Sequence, residues 1–230
     1  MRSSWLRGLI LVLLVSLAAL SVHAQDETAL PLWQAGSAIH DHLFEAQQAL
    51  YNADGAPDAV TEIVAAAALY AQAIQPALQS SVPSADQAIT QAFANAQNAA
   101  SGGDAPAFAF ASGVIWTNLL RGSYQATLNA LQSGDGASAS EWLRLREYRQ
   151  ATKFSLVDDP AAQAIARLQG SSNQEGGQGN LDEVLVTVSN DLRAAYTFRL
   201  RDALRKLEDA AAQNFTVRSA DWAARIGGYF

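Results

Sequence analysis

From Leu30 onward, apolar residues recur at steps of three and four, while the strict alternation of a half-buried strand is almost absent. Clusters of Gly, Pro, Ser, Asn and Asp interrupt that rhythm at "NADGAPD" (Asn52 to Asp58), "SSVPSAD" (Ser80 to Asp86), "SGGDAP" (Ser101 to Pro106), "SGDGAS" (Ser133 to Ser138), "VDDP" (Val157 to Pro160) and "SSNQEGGQGN" (Ser171 to Asn180). The pattern predicts about eight helices, at roughly 35–52, 57–79, 84–100, 105–132, 137–152, 160–169, 181–213 and 218–226. Capping chemistry supports several starts: Ser84 precedes Gln87 by three, Asn180 precedes Glu183 by three, and Asp159 stands before Pro160. Ala, Gln and Leu dominate between the turns, and all are strong helix formers. The predicted fold is therefore all-α, a set of antiparallel helical hairpins or a bundle of about seven to eight helices with one long helix near the C-terminus.

In that long helix Leu181, Leu185, Val188, Leu192, Tyr196, Leu200, Leu204, Leu207 and Ala211 form one apolar stripe. Burial of this stripe would make the helix the organising element, with Leu192 and Leu200 in the core. The expected divisions are a leader at 1–24, a helical-hairpin region at 25–170, a flexible loop at 171–180, and a segment at 181–230 packed on the hairpins. A weak repeat runs through the hairpins, with Asp54, Asp104 and Asp135 each entering the turn after an Ala-rich helix; spacings of 50 and 31 exclude a regular solenoid. In "GVIWTNLLRGSYQATL" (Gly113 to Leu128), Trp116, Leu120, Tyr124 and Leu128 share an apolar side, and Gly113 and Gly122 permit close helix approach.

The first residues change the picture of where the chain works. Arg2 and Arg7, an apolar run from Leu9 to Leu20 and the small-residue site Val22-His23-Ala24 have the layout of a secretory signal peptide cleaved after Ala24. The run is shorter than the roughly 20 residues of a spanning helix. Removing the leader takes two arginines and no acids, leaving 13 Lys+Arg against 22 Asp+Glu, a net charge of −9. Such a chain is unsuited to nucleic acid, which needs clustered cations. Without cysteine it has no disulfides, thiol nucleophile, iron–sulfur cluster or covalent c-type haem.

Two stretches carry most of the candidate chemistry. "EWLRLREYRQATKF" (Glu141 to Phe154) sets Arg146, Arg149 and Lys153 on one stripe headed by Trp142, with Leu143, Glu147 and Ala151 pointing elsewhere; it reads as a packed amphipathic helix, or as an anion-binding face. "IHDHLFEAQ" (Ile39 to Gln47) places Asp41, His42 and Glu45 on one arc of about 100°, where two carboxylates and an imidazole offer ligands for iron, manganese or zinc. The competing reading is a solvated acidic face near a helix start. Asp58 with Glu62, Asp158 with Asp159, and Asp182 with Glu183 are assigned to helix starts and to no chemistry. No G-x-S-x-G, phosphate loop or dinucleotide fingerprint is present, so the chain is not expected to be an enzyme.

The order "LFEAQQAL" (Leu43 to Leu50), "GVIWTNLLRGSYQATLNAL" (Gly113 to Leu131), "WLRLREYRQATKF" (Trp142 to Phe154) and "RLRDAL" (Arg199 to Leu204) before "GGYF" (Gly227 to Phe230) resembles the helical extracytoplasmic region that precedes the membrane domain in bacterial high-affinity iron permeases. The resemblance implies an exported domain that binds iron or delivers it to a membrane permease portion, in the same chain or as a separate subunit. The family's R-E-x-x-E signature is matched only at Arg146 and Glu147, with Gln150 in place of the second carboxylate, so that site is not carried over. The permease's membrane helices are not in this sequence, which is either the amino-terminal part of a longer permease or a free-standing relative. The alternative reading is an exported helical interaction module that binds a protein partner and no metal.

Overall fold

A computed structural model describes residues 30–52, 54–147, 159–171 and 178–228, with backbone alone at 146–147, 171 and 178–180. The expected leader, Arg149, Lys153, the side chain of Arg146 and most of the Gly-rich loop lie outside the described residues. Contacts gather residues 31–230 into one compact unit.

Among the described residues every regular element is helical. They are α1 (Leu32–Ala49), α2 (Ala56–Leu69), a π turn (Tyr70–Ile74), α3 (Gln75–Ser81), α4 (Pro83–Ser101), α5 (Ala105–Gln132), α6 (Gly136–Glu147), α7 (Pro160–Ser171), α8 (Gln178–Ala212) and α9 (Thr216–Gly228). The helix expected at 57–79 is thus broken by a π turn. Pro76 is the cause: its ring cannot share space with the carbonyl four residues back, and the extra residue of the π turn makes room, with Gln75 N–H bonding Tyr70 O five residues earlier.

The turns show why the helices stop where they do. Gly103, Gly134 and Asn214 have φ of 67, 79 and 56°, the left-handed conformation that ends a helix. In each, two N–H groups reach back over the last turn: Gly103 and Asp104 to Ala100 and Ala99, Gly134 and Asp135 to Leu131 and Ala130, Asn214 and Phe215 to Ala211 and Ala210. At the first two, the next residue caps the following helix. Asp104 Oδ1 accepts from Ala107 N–H, and Asp135 accepts from Ser138 N–H and Oγ–H. The hydrogen bonds from Ser138 hold the Asp135 carboxyl below its ordinary range. The repeat of Asp104 and Asp135 is therefore one turn design used twice. Asp159 likewise caps Ala162, whereas Ser84 does not cap: α4 starts at Pro83, and the Ser84 hydroxyl accepts from Arg121.

The central element is α5, not α8. It packs against α1, α3, α4, α6, α8 and α9. Phe108, Ile115, Trp116, Leu119, Leu120 and Leu131 are at most 1% exposed. Its buried Thr117, Asn118, Ser123 and Thr127 satisfy themselves on backbone carbonyls three or four residues earlier. Close crossings need glycine, as expected at Gly113 and Gly122. A Cβ at Gly113 would lie 2.8 Å from that of Ala224 in α9, and one at Gly122 would lie 2.7 Å from Leu78 in α3. A main core joins α1 to α6, and a smaller one joins the end of α5 to α6, α7 and α8; Tyr196 packs against both.

Along α8 the apolar stripe is corrected beyond Leu192. The buried positions are Val184, Val188, Leu192, Ala195, Arg199, Ala203 and Ala210, while Leu200 is half-buried and Leu204 is 48% exposed. Successive steps of four, from 192 to 204, advance 40° each beyond a full turn, so the predicted stripe winds off the contact face; the observed line keeps close to the 3.6 period. In α6, Leu143 is also corrected: it is 2% exposed and belongs to the smaller core, beside buried Trp142 and Leu145.

Candidate metal site

The α1–α2 hairpin is pinned at its turn. Gly55 sits so close to α1 that a Cβ on it would fall 1.9 Å from the carbonyl oxygen of Ala49. Seven residues are two helical turns. Seven back from Ala49 and seven on from Gly55 are His42 and Glu62, and those two face each other. His42 Nδ1 lies 2.6 Å from Glu62 Oε2. Below that contact the buried Ile39, Leu43, Ala59, Ile63 and Ala66 fix the hairpin to the main core.

Glu45, one turn after His42, completes a group in which a donor atom from each of His42, Glu45 and Glu62 lies within 4.8 Å of the others. The His42 and Glu62 side chains are 33% and 29% exposed, and Glu45 is exposed. The group therefore stands on a rigid floor with one side open to water. Its ligand set is one imidazole and two carboxylates, which matches a divalent first-row cation in both hardness and charge. A cation held by the group would take the place of the His42–Glu62 hydrogen bond.

The structure thus brings together two of the three residues singled out in α1, His42 and Glu45, and adds Glu62 from α2. Asp41 is turned away from them: its carboxylate is 68% exposed and lies 3.5 Å from His40 Nδ1. Glu62, assigned above to a helix start, is in the second turn of α2. The signal for it was Gly55, whose tight turn sets the register, but the sequence does not say which faces of the two helices meet.

Two other polar groupings are built differently. Tyr70 and Asp86, 2% and 7% exposed, share a hydrogen bond of 2.7 Å from the phenol to the carboxylate, and Gln75 Nε2 donates to the same oxygen at 2.9 Å. Burial, then the adjoining Asp86 carboxylate, pushes the Tyr70 phenol far above its ordinary value of 10.0. This trio closes the π turn against α4. A cleft of about 460 Å³ lies between the end of α8 and α9, with Lys206, Asp209, Phe215, Arg218 and Trp222 in its walls.

No described helix is long and apolar enough to cross a membrane. No curated protein and no solved structure matches the chain. A family model does, that of the iron permease FTR1 N-terminal domain, over residues 29–230. The resemblance seen in the helix-packing motifs thus extends over the whole compact unit, and the chain belongs to the iron permease FTR1 N-terminal domain family.

Proposed function

We propose that this chain is the extracytoplasmic part of an iron-uptake permease, and that it captures iron at His42, Glu45 and Glu62 for delivery to a membrane-spanning portion. The observation that carries the reading is the convergence of an imidazole and two carboxylates, from two helices held in register by Gly55, within 4.8 Å of one another in a chain of this family. Three protein ligands leave about half of an octahedral shell to water, so iron is held by a site it can also leave. Asp41, beside the group and largely exposed, adds negative charge at the approach. The excess of acids over bases favours the approach of cations. The domain performs no bond chemistry of its own in this reading.

Titration of the purified chain with ferrous iron under argon, and with ferric iron as a weak chelate, tests it beside a His42→Ala/Glu62→Gln variant. The parent should bind one iron with modest affinity and the variant at least tenfold more weakly. Equal binding by both, or none by either, would leave the chain as a helical module with no metal ligand.

A further inference from the structure

Charge is not spread evenly over this acidic protein. Residues 193–230 hold seven of the Lys and Arg and four of the Asp and Glu, a net +3, whereas residues 25–192 hold six and eighteen, a net −12. The basic segment is the second half of α8, the turn at Asn214 and α9.

Arg199 is buried, but several of the other cations face solvent. Arg201 and Arg218 are exposed, and neither has a carboxylate partner among the described residues. Arg205 and Lys206 share one acid, Asp202, at 2.9 and 2.8 Å, which leaves that trio with a net positive charge. Apolar groups stand among the cations. Leu204 and Phe215 are 48% and 43% exposed, with the Arg218 guanidinium 5.2 Å over the Phe215 ring. Trp222 is held between Lys206 at 4.6 Å and Arg225 at 4.9 Å, and the latter is tied to Asp221 at 2.7 Å. Glu208 and Asp209 are the acids on this exposed surface, and they lower its charge without reversing it.

Exposed guanidinium and ammonium groups interleaved with half-exposed aromatic and aliphatic side chains suit an interface that is anionic at its surface and apolar just beneath. The acidic part of a second copy would match the same charges, and partitioning onto vesicles separates the two. We propose that the α8–α9 end of the domain docks on an anionic phospholipid surface, with Arg201, Arg205 and Arg218 at the phosphates and Phe215 entering the headgroup layer. This docking is independent of iron: it would hold the domain against a bilayer whether or not His42, Glu45 and Glu62 carry metal.

The test is co-sedimentation of the purified chain with vesicles of phosphatidylcholine alone or with about a third phosphatidylglycerol, beside an Arg201→Gln/Arg205→Gln/Arg218→Gln variant and a Phe215→Ser variant. The leader residues are the same in all three proteins, so differences between them report this surface. Each removed cation should weaken partitioning about fivefold, so the triple variant should lose roughly a hundredfold on anionic vesicles. Binding by the parent should fall steeply between low and physiological salt, and Phe215→Ser should weaken it without changing the salt dependence. All three substituted arginines are exposed, and unchanged circular dichroism would show that the variant is folded. Equal partitioning of parent and triple variant, or partitioning that ignores the anionic lipid, overturns the proposal. So does self-association at low salt that the triple variant abolishes while vesicles capture neither protein, because the basic end would then pair with the acidic part of a second copy.

Discussion

At Tyr70 a single hydroxyl serves both the core and the π turn, because its proton is what lets a phenol and the Asp86 carboxylate share a dry site. The sign of its pH effect follows from its raised value. The folded protein holds this proton more tightly than the unfolded chain, so the stabilisation is complete below the ordinary phenol value of 10.0 and is lost as pH rises beyond it. Alkaline unfolding should therefore begin earlier in the parent than in a Tyr70→Phe variant measured relative to its own neutral stability. At neutral pH the variant should be about 1–3 kcal/mol less stable, since Asp86 loses one of its donors; urea unfolding at several pH values reads both effects. Asp135 runs the other way: its carboxyl is held low by Ser138, so its contribution to the start of α6 is present above the ordinary carboxylate range and is lost as the solution is acidified through the lowered value.

Helices, turns and the family resemblance were legible from periodicity and punctuation, because Gly, Pro and Asp act locally. The turn design at Gly103–Asp104 and Gly134–Asp135 is visible in the sequence as the same residues in the same order. What escaped depends on register between elements. A stripe read by steps of four drifts off the contact face, so Leu204 was expected in the core while Ala203 holds the place; Asp at 203 should cost several kcal/mol and Asp at 204 about 1 kcal/mol or less, as paired thermal melts would show. Glu62 was missed for the same reason, since its partner His42 is twenty residues away and only the Ala49–Gly55 contact says how the hairpin closes. Gly55→Ala must push α2 away from the Ala49 carbonyl and displace Glu62. Iron affinity should fall by roughly tenfold or more although no ligand is altered. Unchanged affinity in a folded Gly55→Ala protein would show that the hairpin register does not set the site.

For the whole molecule, the two cores and the central α5 make residues 31–230 one unit, and a ligand that bridges α1 and α2 should be felt by all of it. The group formed by His42, Glu45 and Glu62 exists only when the hairpin is closed; in the unfolded chain His42 and Glu62 are separated by twenty residues of flexible backbone, so iron captured at the proposed site would bind the folded state preferentially. Stabilisation then follows from mass action and grows with the logarithm of free metal. At a hundred times the dissociation constant it reaches about 2.7 kcal/mol. In a domain of this size each kcal/mol raises the melting temperature by about 2–4 °C, so ferrous iron at that level should raise it by roughly 5–10 °C. The increase should shrink as pH falls, because protons compete for the imidazole and both carboxylates. A His42→Ala/Glu62→Gln protein should melt at one temperature with and without iron. If iron raised the melting temperature of that variant as much as that of the parent, the metal would be binding elsewhere on the acidic surface, and the hairpin would be a packing feature only.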